Sequence, residues 1–443
     1  MTSSRHVDQI KRIFFLDSLS EIRSVWGLVF ARSHKGSFLF KIDQNSPLLE
    51  RLANLLAISI KVSLMKVISR LLGDKSSIFG VYPSIAEPTI IYELASSSVK
   101  YANARLLTSS DVKTLANRIK IVFAAIFGVN PSLGALLVVR DLDLAILTPR
   151  SSKLPINSST RSILINTSNR TLLLFQDDEK ELKPSYVVHR TGHTMASSNM
   201  YFRLYQVLGA LMPEPVCASS EYYVERGVAG QPWFQISHKL ARWTEVKRNA
   251  LETLGLFHDL ISSSQTYKLD FSPSEVFDSL LHELSQDITA DVFSKQQLFQ
   301  LGQEFARIGN IKSHSQHGDF CINNLIFDSN QTYIIDFEDF NACPVILHDE
   351  FSLVLSFMMV ETEGQPLDEQ QIIHNLNKNL AFVLRDSTWL SVLNKAQLNS
   401  LLFLHFIQRL GVWSEDRVVF RAWLVEVAKV IVRQQDRICW DFS

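Results

Sequence analysis

Apolar residues fall in short alternating runs between residues 155 and 230 and take up helical spacing from residue 242 onward. Ser162 to Asn166 and Thr171 to Phe175 alternate as the two strands of a hairpin around Thr167-Ser168-Asn169-Arg170. Tyr186 to His189 predicts a third strand, Met200 to Leu211 a helix, and Tyr222 to Glu225 another strand that runs into Arg226-Gly227 and Gly230-Gln231-Pro232. Beyond Arg242 the pattern is mainly helical, with Leu251, Leu254, Phe257 and His258 on one stripe, where His258 reads as a packing histidine. One short hairpin interrupts it: Leu325 to Phe327, a turn cluster Asp328-Ser329-Asn330, and a return through Tyr333 to Ile335. Upstream, Arg51 to Gly73 predicts a helix carrying Arg51, Lys61, Lys66 and Arg70. Its apolar positions spread around much of the cylinder, which favours a buried helix over one lying on a membrane surface. Residues 148–161, with Pro149, Pro155 and several Ser and Thr, read as a linker. The expected division is a basic α/β region at 1–150, a strand-rich part at 151–230 and a helical part at 231–443.

The short hairpin carries the chemistry. His317-Gly318-Asp319 precedes it, Asn324 stands five residues after Asp319, and Asp336-Phe337-Glu338 follows the return strand. Phosphoryl transfer from ATP needs a carboxylate to orient a hydroxyl and accept its proton, and oxygen ligands for the Mg²⁺ that bridges the phosphates. Asp319 suits the first role, Asn324 and Asp336 the second. A hairpin between the last two brings them to one end. Cys321, inside the loop, reads as a packing residue, because direct transfer needs no covalent intermediate.

These residues resemble the aminoglycoside phosphotransferase and choline kinase superfamily, the small-molecule relatives of protein kinases. Its hallmark is HGD, an Asn five residues after the Asp, and an Asp ending a strand. His317, Asp319, Asn324 and Asp336 take those positions, and Asp349 in Leu347-His348-Asp349-Glu350-Phe351 sits where the family has a helix-starting Asp supporting the loop. The HGDF and DFE variants are similar to phosphotransferase-like proteins of bacterial polysaccharide gene clusters. The resemblance covers residues 155 to 443. It implies an α/β (α+β), two-lobed protein-kinase-like fold with an additional N-terminal α/β domain, use of ATP and Mg²⁺, and a small-molecule acceptor. It also implies that Glu225 to Gly227 forms a hinge pairing with adenine. Glu338 reads as a solvated or salt-bridged residue, or as a group behind the metal.

The nucleotide half departs from this pattern. His189 stands where a small-lobe strand presents lysine, and Arg203 and Leu204 stand near the position of its glutamate partner. Ile156 to Ile163 contains no glycine to cradle phosphate. Two readings follow. His189 and Arg190 replace the lysine as phosphate donors, with Asp319 and the metal dyad intact. Otherwise the chain is a kinase-like binding module that works with biosynthetic partner proteins.

Charge adds an asymmetry. Residues 1–150 hold 19 Lys+Arg and 11 Asp+Glu, residues 151–443 hold 25 and 34, and the chain nets −1. Opposite signs favour docking of the two parts, or a basic region facing an acidic surface or a protein partner. Four cysteines without a CxxC suggest neither zinc nor a disulfide framework, which fits a reducing, cytoplasmic setting. No secretory leader or membrane span is expected, and no basic and aromatic alternation points to nucleic acid.

Overall fold

The structure is a computed structural model. It describes the strands β1 (Phe38–Lys41), β2 (Ser76–Pro83), β3 (Pro88–Glu93), β4 (Ala135–Arg140), β5 (Thr160–Asn166) and β6 (Thr171–Gln176), and most of residues 184–442. Arg51 to Gly73, Arg190 and Glu338 lie outside the described residues. The chain divides into two compact units, residues 1–205 with 213–239, and residues 206–212 with 240–443.

The first unit is built on one nine-stranded sheet. To the six strands above it adds β7 (Tyr186–His189), β8 (Pro215–Ala218) and β9 (Tyr223–Arg226), in the order β1-β4-β2-β3-β5-β6-β7-β9-β8. Every pairing among these described strands is antiparallel. The predicted hairpin forms with Ile163 opposite Leu174, and Val188 of β7 lies opposite both Leu172 and Val224. β3 pairs with β5, Ile91 opposite Ile165, so the described strands on both sides of the expected linker belong to the same sheet. The period-two signal found β7 at its exact bounds. It missed β8, a short segment that begins at a proline, which a strand tolerates at its first residue. Leu174, Val188, Tyr223 and Val224 are almost fully buried.

Helix α1 spans Met195–Leu208 and tightens into a 3₁₀ turn at Gly209–Leu211, where Gly209 has φ +52°. The tail of the predicted helix is therefore this turn. The two-residue strand β10 (Gln231–Pro232) precedes the second unit.

The second unit is mainly helical. Its helices are α2 (Trp243–Ser263), α3 (Pro273–Glu283), α4 (Lys295–Ile308), α5 (His348–Thr362), α6 (Glu369–Leu384), α7 (Trp389–Val392), α8 (Lys395–Val412) and α9 (Val418–Arg433). Two antiparallel strand pairs interrupt them: β11 (Lys268–Phe271) with β12 (Ile311–His314), and β13 (Leu325–Phe327) with β14 (Thr332–Ile334). α2 buries Val246, Ala250, Leu254, Phe257 and Ile261 along one stripe, while Leu251 stays half-buried. α4 opens with a reciprocal capping box between Ser294 and Gln297. α5 is apolar almost all round and buries Phe351, Leu353, Val354, Phe357 and Met358; α8 buries every residue from Leu398 to Leu410. Each such apolar side chain stabilises the fold by about 1.5–3 kcal/mol. A hairpin, a strand, a helix, two strands and then a helical unit with a short inner hairpin make up a mixed helix-and-sheet fold, in the element order expected from the resemblance. No described helix is long and apolar enough to cross a membrane.

Candidate active site

The β13–β14 hairpin sets the site. Leu325 pairs with Ile334, and the Ile335 N–H donates to the Asn324 carbonyl at 2.9 Å, so Asn324 and Asp336 occupy neighbouring positions at the open end of the hairpin. Asp336 has φ +65°, a left-handed turn that Asp tolerates better than most residues and that redirects the chain at the strand exit. Asn324 donates its amide to the Asp319 carbonyl at 2.9 Å and to the Asp319 carboxylate at 3.0 Å. The nitrogen is thus committed to Asp319, and Oδ1 is the atom left to face a cation. The three motif residues come together as their spacing requires.

The loop that carries Asp319 is held from below. His317 is fully buried; its Nε2–H donates to the Ile335 carbonyl at 3.2 Å and its Nδ1 accepts the Asp319 N–H at 3.3 Å. Both nitrogens are therefore engaged in the neutral form, and burial lowers the ring's pKa. Phe257, Phe320 and Phe337 surround it, with the Phe337 ring centroid 4.7 Å away. Gly318 has φ +87°, and a Cβ there would lie 2.2 Å from the Asp339 carbonyl oxygen, so no other residue fits.

Asp349 supports the loop in a way its sequence position only half suggests. The helix begins at His348, after Leu347 at φ +62°, so Asp349 sits inside the first turn and is not its N-cap. Its carboxylate accepts the N–H groups of His317 at 2.7 Å and Gly318 at 3.0 Å. The packing histidine His258 lies 3.6 Å from Asp349 and 3.5 Å from Glu350. Burial alone would raise the Asp349 carboxyl; His258, with His317 and His348 nearby, outweighs it and holds the value at about 2.

Sequence reasoning missed Arg409. This buried side chain of α8 forms an ion pair with the Asp319 carboxylate at 2.9 Å and donates to Ser352 Oγ at 2.6 Å. The only available signal was an arginine near the end of the largely apolar run Leu401 to Leu410, which also holds His405 and Gln408, and nothing local ties it to Asp319. Cys321 is a packed thiol whose pKa burial raises.

In the first unit His189 and Glu225 do meet. His189 Nε2 lies 2.9 Å from the Glu225 carboxylate across β7 and β9, and Glu225 is buried. The acid facing His189 thus comes from a strand: Leu204 is buried apolar and Arg203 is exposed. In the segment expected to form the hinge, the Arg226 N–H donates to the Glu214 carbonyl and the Gly227 N–H to the Ser185 carbonyl, both at 2.9 Å. Gly227 is required for another reason, since a Cβ there would fall 1.6 Å from the Pro184 carbonyl oxygen.

The chain matches no protein-family model and no curated protein. Among solved structures it is similar to a glucosamine kinase, with 12% identity over 60% of this chain and 76% of that one at a TM-score of 0.40. It is also similar to an amicoumacin kinase in complex with AMP-PNP, Ca²⁺ and Ami, with 14% identity over 61% and 88% at 0.40. A choline kinase from Cryptosporidium parvum gives 14% over 64% and 90% at 0.39.

Proposed function

We propose that the chain is an ATP- and Mg²⁺-dependent phosphotransferase acting on a hydroxyl of a small molecule such as a sugar, an amino alcohol or a glycan precursor. The observation that carries this reading is the arrangement of Asp319, Asn324 and Asp336, joined by the Asn324 amide and the hairpin register. Asn324 Oδ1 and the Asp336 carboxylate would hold Mg²⁺. Among the described residues no group of three or more His, Cys, Asp or Glu forms a metal cage, and Mg²⁺ does not need one: it keeps waters and takes phosphate oxygens alongside one or two carboxylates. When bound, the ion would supply charge neutralisation on the transferred phosphoryl group. Asp319 orients the acceptor hydroxyl and takes its proton, while His317 and Asp349 hold the loop that presents it.

A second reading, a binding module without turnover, draws on one observation: His189, standing in the lysine position, already faces Glu225. The test is ADP release from Mg·ATP across a panel of hexoses, amino sugars and amino alcohols, with nucleotide-induced thermal stabilisation measured alongside. Turnover in the wild type that falls by at least about 100-fold in Asp336→Ala supports the phosphotransferase. Stabilisation without turnover supports the binding module. No nucleotide effect on either protein would sink the phosphotransferase.

A further inference from the structure

We propose that Arg409 is a positioning residue for Asp319 and that α8 acts as a clamp on the catalytic loop. This rests on the phosphotransferase reading above. The clamp has two arms one helical turn apart. In the first, Arg409 reaches Asp319 Oδ1 at 2.9 Å while bonding Ser352 Oγ on α5. In the second, His405 Nδ1 lies 3.0 Å from His348 Nδ1, and His348 Nε2 lies 3.0 Å from the Gly318 carbonyl. A carbonyl only accepts, so His348 carries its proton on Nε2, its Nδ1 is bare, and the proton between the two rings belongs to His405. Burial and the neighbouring Arg409 keep His348 neutral, at about 4, and His405 well below its usual range. α8 therefore grips two consecutive loop residues, Gly318 and Asp319, from a part of the chain far downstream.

The grip fixes the carboxylate. Arg409 holds Oδ1 and the Asn324 amide holds Oδ2, which sets the plane of the group while each oxygen keeps a lone pair for an acceptor hydroxyl. In the transfer the hydroxyl oxygen bonds to the γ-phosphorus, the bond to the leaving ADP oxygen breaks with its electron pair, and the hydroxyl proton passes to Asp319. Arginine stays protonated throughout and cannot take that proton. Its part is to aim the base and to offset the repulsion between a carboxylate and an approaching anionic phosphate.

The test uses the full chain with Mg·ATP and the acceptor that gives turnover in the panel above. Arg409→Gln is expected to lower kcat by about 10- to 100-fold with KM for ATP within about twofold, the size of effect seen when a group that orients a functional residue is lost. Arg409→Lys should recover part of the loss, since it keeps the charge and loses the planar fork. In an Asp319→Asn background, Arg409→Gln should change single-turnover rates by less than about twofold, because the two residues act as one unit. If Arg409→Gln does not fold, the comparison is made with Arg409→Lys, where full wild-type kcat overturns the proposal. Retained kcat in Arg409→Gln, or an equal further loss in the Asp319→Asn background, also overturns it. Absence of any wild-type turnover overturns the phosphotransferase reading and this role with it, so the two failures are distinct.

Discussion

His314 and His348 are both held near 4 by burial, so each stays neutral in the fold and takes up a proton only on unfolding. Such groups withdraw stability as pH falls from the unfolded value of about 6.5 toward 4, at roughly 1.4 kcal/mol per unit of displacement. His258 works the other way. Burial lowers its pKa, but Glu350 and Asp349 raise it more, so its contribution is present below 6.5 and is lost as pH rises through its elevated folded value. Asp349 holds its share above 3.8 and loses it as pH falls through about 2. The thermal midpoint is expected to fall steadily between pH 6.5 and 4, with part of the slope removed in His314→Gln. A flat profile in that window would count against neutral burial of these rings. At this scale the sequence was legible where chemistry is local in the chain: the Asp319, Asn324 and Asp336 spacing implies a hairpin, and the hairpin is there. Arg409 was not legible, because its meaning lies in a contact between residues that only tertiary packing brings together.

The helical character beyond Arg242 followed from apolar spacing, yet the bounds of most helices and the ties between them did not. α2, α5 and α6 meet around Lys247, whose ammonium is buried between Glu361, at 3.2 Å, and Asn379, above the rings of Phe357 and Phe382. Burial lowers its pKa, and Glu361 opposes that shift. Trp243 and Asn379 also donate to Glu361, so the carboxylate is the hub of the cluster. Removing it leaves a buried cation unpaired. Glu361→Ala is expected to cost about 3–5 kcal/mol, whereas Lys247→Met with Glu361→Leu costs much less. Denaturant unfolding of both variants checks this, and equal losses would show that the cluster is ordinary packing. A lysine and a glutamate so far apart in the chain carry no mark of such a pairing.

For the molecule as a whole, the sheet crossing the 148–161 stretch changes how the first 150 residues are viewed. Composition and charge set them apart, but strand partners are chosen by exposed backbone groups, which composition does not record. Since β3 pairs with β5, a chain beginning at residue 155 would present β5 as an open edge. It is expected to aggregate or to elute as oligomers on size exclusion, where the full chain does not. A stable monomer from that shorter chain would show that the 151–443 segment folds on its own.

The clamp on Asp319 also has a consequence in time. The loop is synthesised well before α8, and at roughly 5–20 residues per second a nascent chain spends seconds with Asp319 made and Arg409 not yet translated. Through that interval the ribosome carries the motif with Asn324, but not Arg409, present to aim its carboxylate. Full competence for transfer would then follow only once α8 emerges, and a product terminated before α8 would hold the motif while its rate is impaired.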